Sequence, residues 1–422
     1  TGRGADLTDF DFTIDWGDGN TETTTGDDPD PTHTYDAAGT YTVSISGVFP
    51  WMHHYGIAET STNAEKLLTV EQWGDIQWEK MVEMFAEAAN MTYAATDAPN
   101  LSQVTNMGGM FASATIFNGA IGDWDVSNVE DFSSIFRRAR SFNQDISSWE
   151  VSSATNMASM FAEALSFNQP IGNWNVSNVT AFNQMFRGPG DPDGTQMSFN
   201  QDISGWNTAS AETMDEMFER NRNFNQDINT QVINEGMAEE YTAWDVSNVT
   251  SFFEMFRDAS FNQDIGDWNV SSATDMRNMF RDALSVDQDI SQWDISNVGS
   301  FGLGRFVMSL STANYDALLQ AWSKLELTNG LSPNFGSTMY SCAAADAHQS
   351  IITKFSWTIN DGGLAVACDF EPFITTWEVT TSDLSIFIPI TRSPVSTPYD
   401  FIIDWGDGSY ESYTGNDSNP TH

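Results

Sequence analysis

A motif of about 25 residues recurs along the middle of the chain and constrains its fold. It reads roughly V-T-x-M-x-x-M-F-x-x-A-x-S-F-N-Q-D-I-x-x-W-D-V-S-N, with longer gaps at 188–198 and 229–243. Its tryptophan recurs at Trp124, Trp149, Trp174, Trp206, Trp244, Trp268 and Trp293. A repeat of this length predicts a solenoid, because one repeat alone cannot bury its apolar face and must stack on its neighbours.

The spacing inside a repeat predicts two elements. M-x-x-M-F-x-x-A places apolar residues three and four apart, which favours a short helix with one apolar side. F-N-Q-D-I-x-x-W-D-V-S-N alternates apolar and polar residues and ends in turn formers, which favours a short strand. We therefore expect an α+β repeat fold, a leucine-rich-repeat-type solenoid of about eight to nine turns with one short helix and one short strand per turn.

The end of the chain repeats its beginning. Residues 390–422 align with residues 1–33 at a constant offset of 389, with 17 identities among 33 pairs. Both segments contain D-W-G-D-G, at residues 15–19 and 404–408. We expect the chain to be one long unit plus the start of the next, cut from a longer tandem array so that neither end is a natural terminus.

These patterns divide the chain into four predicted regions. Residues 1–72 are rich in Thr, Gly and Asp and alternate like strands, so they predict a β-sandwich without its first strand, followed by a linker. Residues 73–306 form the predicted solenoid, and residues 307–369 its C-terminal cap. The next β-sandwich is expected to occupy residues 370–422.

Composition excludes several classes of protein. The net charge is -43, from 59 acidic and 16 basic residues, which excludes a nucleic-acid binder that works by neutralising phosphates. The chain contains no apolar run of about 18 residues, so we expect no transmembrane segment. Histidines are few and no G-x-S-x-G, H-E-x-x-H or P-loop motif occurs, so we expect no enzymatic activity.

Two known families resemble parts of the chain. The repeat motif resembles that of the BspA-like family of bacterial surface proteins, which has leucine-rich-type repeats of similar length. D-W-G-D-G, followed by T-H-T-Y at 32–35 and G-T-Y-T-V at 39–43, is similar to the PKD (polycystic-kidney-disease) domain, an immunoglobulin-like β-sandwich. The resemblance implies a secreted protein, extracellular or attached to the cell surface, with a binding, adhesive or structural role.

The W-G-D-G loop is the candidate metal site. Asp15 and Asp18 could supply hard oxygen ligands for calcium. The alternative is that Asp18 closes a hairpin turn and that Asp15 is a solvated strand end. Whichever interpretation holds for the first pair should also hold for Asp404 and Asp407, the second copy of the motif. We expect no other cofactor.

Arginines form the candidate interface. Arg137, Arg187, Arg257 and Arg281 each directly follow the Phe of the M-F pair, so they are expected to line one side of an otherwise acidic body. They either pair with acidic residues of neighbouring turns, which contributes little, or they dock onto an acidic face of another copy of the chain.

Three more residue types recur at one fixed position of successive repeats, and we call each such set a column. Each column has a structural and a functional interpretation. The asparagines form either a ladder that satisfies the backbone of the neighbouring turn or part of a ligand site. The aspartates two positions later are turn formers or a cation or sugar ladder. The tryptophans are core residues or a platform for sugar rings, and we favour the structural interpretation. The asparagine column is Asn143, Asn168, Asn200, Asn225 and Asn262.

Cys342 and Cys368 are the two cysteines of the chain. Secretion, which the resemblance implies, favours a disulfide between them in the cap over two free thiols.

Together these features predict a non-enzymatic secreted surface protein. The chain would be one unit of a tandem-repeat extracellular fibre or long adhesin, with other copies of itself as partners in a filament or lateral assembly. The alternative is a recognition protein that binds a glycan or a host or cell-surface protein on its concave strand face. Uniform columns favour the fibre, because a recognition site would concentrate distinctive residues in one turn.

Overall fold

The computed structural model describes residues 9–26, 31–52, 61–190, 195–301, 310–365, 399–404 and 410–415. Its internal contacts divide the chain into two units, Thr1–Val366 and Ala367–His422. The boundaries that we predicted at residues 72 and 306 therefore lie inside the first unit.

The first unit begins with a small antiparallel sheet in the order β2-β1-β3. Its strands are β1 (Phe10–Asp15), β2 (Thr21–Gly26) and β3 (Ser44–Val48). Phe10, Phe12 and Ile14 of β1 are buried and alternate with outward-facing residues, as the strand period requires. A short helix, α1 (Ser61–Ala64), and a parallel pair, β4 (Thr69–Val70) with β5 (Thr92–Tyr93), lead into the repeats.

The predicted PKD-like β-sandwich at residues 1–72 is wrong. The described part of this region forms one three-stranded sheet, without a second sheet facing it. Phe12 packs on Phe49, and Phe49 packs on Trp78 of the first repeat, with ring centroids 4.8 and 5.9 Å apart. The amide of Glu79 also donates to the carbonyl of Pro50 at 2.9 Å. The sheet thus buries its apolar face against the repeats, which replace the second sheet.

The predicted solenoid with one helix and one strand in each turn is also wrong. The described residues between 79 and 301 contain no α-helix. Their M-x-x-M-F-x-x-A segment is instead a series of hydrogen-bonded turns, which we call the turn ribbon. Outside the short β5 pairing and the inserted hairpin, strand pairing is reduced to single parallel bridges between successive repeats, such as Asn106 with Asp131 and Asp131 with Asn156.

Alternate amides of the turn ribbon have different partners. The amide of Met110 donates to the carbonyl of Met107, three residues earlier, at 3.1 Å and closes a turn. The amide of Phe111 donates to the carbonyl of Ile135 in the next repeat at 2.9 Å. Equivalent bonds to the next repeat are made by the amides of Phe85, Phe136, Phe161, Phe186, Phe218 and Phe256. Half of the bonds that would hold a helix together therefore join neighbouring repeats.

Backbone angles explain the absence of a helix. The residue before the second Met of the ribbon has a positive φ, between 53° and 66°, in eight repeats. These residues are Glu83, Gly109, Ser134, Ser159, Gln184, Glu216, Glu254 and Asn278. A positive φ at the third position of a turn is the type II arrangement, and it interrupts the bonding of each amide to the carbonyl four residues earlier. Only Gly109 is free of steric cost there, so the bonds between repeats must stabilise the others.

Two columns of stacked phenyl rings fill the interior. Neighbouring rings of the M-F column, from Phe85 to Phe280, have centroids 5.6–5.8 Å apart. The second column runs from Phe117 to Phe261 with centroids 5.9–6.3 Å apart. Each repeat therefore adds a nearly identical layer, and one core extends from Phe10 to Trp357.

The tryptophan and asparagine columns are structural, which confirms the interpretation that we favoured. Trp149 is buried, and its indole N–H donates to the carbonyl of Ile121 in the preceding repeat at 2.9 Å. The amide of Asn168 donates to Oδ1 of Asn143 at 2.9 Å. The indole bond recurs at Trp174, Trp206, Trp244, Trp268 and Trp293, and the asparagine bond at Asn200, Asn225 and Asn262. These side-chain bonds supplement the sparse strand pairing.

The insertion at 229–243 contains an antiparallel hairpin, β6 (Gln231–Ile233) with β7 (Tyr241–Ala243). After the last repeat come helix α2 (Thr312–Trp322), a 3-10 helix (Cys342–Ala344) and helix α3 (Ala345–Phe355). Phe301 of the last repeat lies 6.0 Å from Trp322 and 5.8 Å from Trp357, measured between ring centroids. The cap thus closes the apolar end of the repeats. No described helix is long and apolar enough to cross a bilayer.

The second unit contains a hairpin formed by β8 (Tyr399–Asp404) and β9 (Tyr410–Gly415). Tyr399 pairs with Gly415 in β8–β9, and Phe10 pairs with Gly26 in β1–β2. Both residues of the first pair lie 389 positions after those of the second. The sequence repeat is therefore also a repeat of strand register.

We predict that positive φ makes one position of the turn ribbon far more sensitive to a β-branched substitution than the position before it. Ser134→Val should lower the free energy of unfolding by about 2 kcal/mol, because a β-branched side chain is strongly disfavoured at positive φ. Ser133→Val introduces the same side chain at a residue without positive φ. Urea denaturation should show a clearly smaller loss for this control, and equal losses would contradict the backbone explanation.

Candidate contact surface

The turn ribbon presents its polar residues in columns. Because each repeat adds one layer, residues at the same ribbon position in successive repeats are neighbours. The position after the Phe of the M-F pair holds the four predicted arginines, but it also holds an acid. In chain order this arginine column is Arg137, Ala162, Arg187, Glu219, Arg257 and Arg281.

Glu219 is the centre of an internal charge cluster. Its carboxylate is completely buried, and its Oε2 accepts a hydrogen bond from Nε of Arg187 at 2.5 Å. Its Oε1 lies 3.1 Å from Nη1 of Arg257 and 2.9 Å from Nη1 of Arg220. A buried carboxylate with three guanidinium partners is strongly stabilised where it lies, and it would be costly to leave unpaired.

Two flanking glutamates extend the cluster. Nε of Arg187 also lies 3.1 Å from Glu216, and Nη1 of Arg257 lies 2.6 Å from Glu254. Burial alone would lower the pKa of both arginines. The hydrogen bond and charge of Glu219 outweigh burial and raise the pKa of Arg187, and those of Glu254 raise the pKa of Arg257. Burial and the neighbouring Glu219 raise the pKa of Glu216.

The four predicted interface arginines therefore have different surroundings. Arg187 and Arg257 pair with the neighbouring repeats, as the first of our two interpretations holds. Arg281 is 39% exposed, with Nε 3.4 Å from Asp282, and Arg137 has no acidic partner among the described residues. Arg137 and Arg281 are thus the members that remain candidates for contact with another copy.

The W-G-D-G loop closes the β1–β2 hairpin. Oδ1 of Asp15 accepts from the amide of Gly17 at 2.9 Å, and Oδ1 of Asp18 accepts from the amide of Asn20 at 3.0 Å. Oδ2 of Asp18 lies 2.7 Å from Nε2 of His33. The hydrogen bonds of His33 and Asn20 lower the pKa of Asp18 to about 2. Both carboxylates thus have the contacts that the turn interpretation requires.

The calcium sites remain predictions. Among the residues that the structure describes, no three His, Cys, Asp or Glu side chains are grouped to hold a metal ion. The described part of Asp404 is its backbone in β8, and Asp407 lies outside the described residues.

A disulfide involves Cys342, and no described cysteine is free. Its predicted partner, Cys368, lies outside the described residues, so the pairing stays a prediction.

The sequence interpretation missed two carboxylates that hold clusters of polar partners. One is Glu219. The sequence could have marked it, because it is the acidic residue at a repeat position otherwise occupied by arginine or alanine. The other is Asp361 in the cap, whose Oδ2 accepts from the hydroxyl of Tyr315 at 2.7 Å and lies 3.1 Å from Nε2 of His348. Burial would raise the pKa of Asp361, but these bonds and the amide of Gly363 outweigh it and lower the pKa. No repeat pattern marks this cluster, because it lies outside the repeats.

A groove of about 460 Å³ lies at the beginning of the repeats. It is lined by Ala95, Thr96, Asp97, Ala120, Gly122, Asp123, Gln144 and Asp145. Ala120 stands where most later repeats have the longer Asp. Oδ2 of Asp97 accepts from the amide of Gly74 at 2.8 Å, so this carboxylate has a structural partner.

Comparison with protein families identifies the repeat region. The family model described as "Mycoplasma protein of unknown function, DUF285" matches residues 79–193, 194–241 and 232–322. These matches together span residues 79–322, more than half of the chain. The chain belongs to the DUF285 family. Searches of curated proteins and of solved structures found no match. The DUF285 region coincides with the stacked repeats and helix α2.

We predict that Glu219 stabilises the DUF285 region through its charge. Glu219→Gln should lower the free energy of unfolding by about 3 kcal/mol, because it leaves three partly buried guanidiniums without their shared carboxylate. Glu216→Gln is the matched control, since burial and the neighbouring Glu219 raise the pKa of Glu216 and make its charge less favourable than that of Glu219. Urea denaturation at neutral pH should give a much smaller loss for the control, and similar losses would show that the charge of Glu219 is unimportant.

We also predict a pH effect in the first hairpin. Because the folded pKa of Asp18 is about 2, below the ordinary value of 3.8, its stabilising contribution is complete above pH 3.8 and is lost as the pH falls through 2. A carboxyl titration followed by NMR should place the midpoint of Asp18 near pH 2. His33→Ala should move this midpoint upward, whereas Thr34→Ala, an exposed neighbour, should leave it in place. An unchanged midpoint in the His33 variant would refute the assigned cause.

Proposed function

We propose that the chain is a structural, non-enzymatic unit of a secreted tandem-repeat fibre or long adhesin, which associates with other copies of itself. The observation that carries the proposal is the 389-residue repeat, in which a second hairpin has the same strand register as the first. A protein made of such units in series gains length without any new fold.

The described core supports a stiff unit. A single apolar cluster connects Phe10 in the N-terminal sheet to Trp357 in the cap. Bending between the sheet, the repeats and the cap would separate packed aromatic rings, such as Phe49 and Trp78. Stiffness of this kind suits a filament or a long projection.

The surface carboxylates support a role without catalysis. Oδ1 of Asp145 accepts from the amide of Ser147 at 2.9 Å and closes a local turn. The equivalent turn is closed by Asp202, Asp227, Asp264 and Asp289. General acid–base catalysis needs carboxylates in contrasting environments, and these environments are alike.

Two further features support secretion. The disulfide of Cys342 favours an oxidising compartment, because structural disulfides are rare in reducing ones. The net charge of -43 is tolerated best in salty surroundings, where ions screen repulsion between like charges.

The test is electron microscopy of a protein that holds two complete 389-residue units in tandem. Ordered filaments or lateral bundles are expected with millimolar calcium and also with chelator. Filaments that disappear with chelator would support calcium sites at Asp15 and Asp18. Isolated particles in both conditions, together with binding on a glycan array, would favour the recognition protein instead.

A further inference from the structure

Most methionines of the repeats lie in the core. They occupy the two Met positions of the turn ribbon and neighbouring core sites, where solvent does not reach their side chains. The completely buried ones are Met81, Met84, Met91, Met107, Met110, Met157, Met160, Met185, Met197, Met214, Met217, Met255, Met276 and Met279. A dissolved reagent can therefore reach these sulfur atoms only when the repeats open.

Met237 is the exception in the described repeats. It is 65% exposed at the middle of residues 234–240, the loop of the inserted β6–β7 hairpin, and it is not part of the apolar core. We call this segment the hairpin loop, and all of its residues are exposed. In the cap, Met339 is 44% exposed, and its Cγ lies 2.9 Å from the point that a Cβ on Gly362 would occupy. Met237 is thus the most exposed methionine among the residues that the structure describes.

Hydrogen bonds hold the hairpin loop in one shape. The amide of Met237 donates to the carbonyl of Asn234 at 2.9 Å, and the carbonyl of Met237 accepts from the amide of Glu240 at 3.3 Å. The amide of Gly236 donates to Oε2 of Glu240 at 2.6 Å. The exposure of Met237 is therefore a property of the folded loop and does not require the loop to unfold.

The hairpin loop is acidic around its methionine. Glu235, Glu239 and Glu240 lie within three positions of Met237. The sequence between residues 223 and 256 contains no Lys or Arg. These carboxylates repel a negatively charged reagent, whereas a neutral reagent approaches Met237 without this barrier.

We propose that Met237 is an oxidation site of the folded chain, at which a neutral peroxide converts the thioether into a sulfoxide. The sulfur lone pair attacks one oxygen of hydrogen peroxide, the S–O bond forms as the O–O bond breaks, and the other oxygen leaves as water. The sulfur loses two electrons and the peroxide gains them. The surrounding glutamates select neutral peroxides over anionic oxidants. This chemistry goes beyond the proposed function, since it does not require association between copies.

Oxidation at Met237 changes the surface of the protein and leaves its core intact. A sulfoxide is polar, so the modification removes the large apolar side chain of the hairpin loop. In a buried methionine such as Met110, the same oxygen would enter the stacked interior without a hydrogen-bond partner, which is costly. The folded protein can therefore carry the modification at Met237, and methionine sulfoxide reductases can reverse it.

The experiment exposes the folded 422-residue chain to hydrogen peroxide and follows each methionine by peptide mass spectrometry. Met237 should react at least about tenfold faster than buried methionines such as Met110, because those sulfurs are reached only through opening of the repeats. In urea, the two should react at similar rates. Met237→Leu should abolish the fast reaction, whereas the control Met339→Leu should leave it in place. Thermal unfolding of the protein oxidised at Met237 should match that of the untreated protein.

A second oxidant tests the role of the glutamates. Peroxymonosulfate is an anion, so at low salt Glu235→Gln with Glu239→Gln should speed its reaction with Met237 by at least about twofold. The same variant should react with hydrogen peroxide at the unchanged rate, because this peroxide is neutral. The control is Glu130→Gln with Glu212→Gln, which changes the net charge equally at exposed residues elsewhere and should have little effect on either rate.

Several results would overturn the proposal. Equal rates at Met237 and Met110 in the folded chain, or a fast reaction that persists in Met237→Leu, would show that the assigned site is wrong. A lower midpoint of thermal unfolding after oxidation at Met237 alone would contradict a modification confined to the surface. An unchanged rate with peroxymonosulfate in the glutamine variant would rule out selection by the glutamates. None of these results depends on filaments, so electron microscopy tests the proposed function separately.

Discussion

Hydrogen bonds between successive turn ribbons are the interaction on which the rest of the structure depends. In each ribbon, alternate amides close local turns and the remaining amides bind carbonyls of the next repeat, as Phe111 does with Ile135. A ribbon alone would therefore leave half of these amides without partners, at a cost comparable to a lost hydrogen bond each. The same bonds hold residues such as Ser134 at positive φ and set the layer spacing that stacks the phenyl rings.

The regular layers also determine the electrostatics of the surface. Side chains at one ribbon position are close neighbours along the repeats, so a single change of residue type alters the role of a whole column. Glu219 is the clearest example, because its carboxylate pairs with Arg187 and Arg257 of the repeats on either side. Charges that would otherwise face the solvent become internal. In the proposed assembly, the ends of the arginine column, Arg137 and Arg281, remain available for contact.

Continuity of the core connects this local bonding with the proposed role. The sheet that begins the unit buries its apolar face on the first repeat, and the cap does so on the last repeat. Both ends of the repeat region are therefore covered within the unit. In the proposed assembly, copies would therefore associate through the sides of the repeat region rather than by extending its stack.

Much of this organisation could be predicted from the sequence. The sequence by itself determined the 25-residue layer period, the 389-residue repeat and the structural roles of Trp149 and Asn143, because those properties depend on recurrence alone. Only the tertiary structure decided between a helix and a turn ribbon, since apolar residues three and four apart suit both. The choice depends on whether an amide such as that of Phe111 binds a carbonyl of its own segment or one of the next repeat. Contacts between residues far apart in the sequence likewise decided which arginines are paired with acids and that the repeats cover the first sheet.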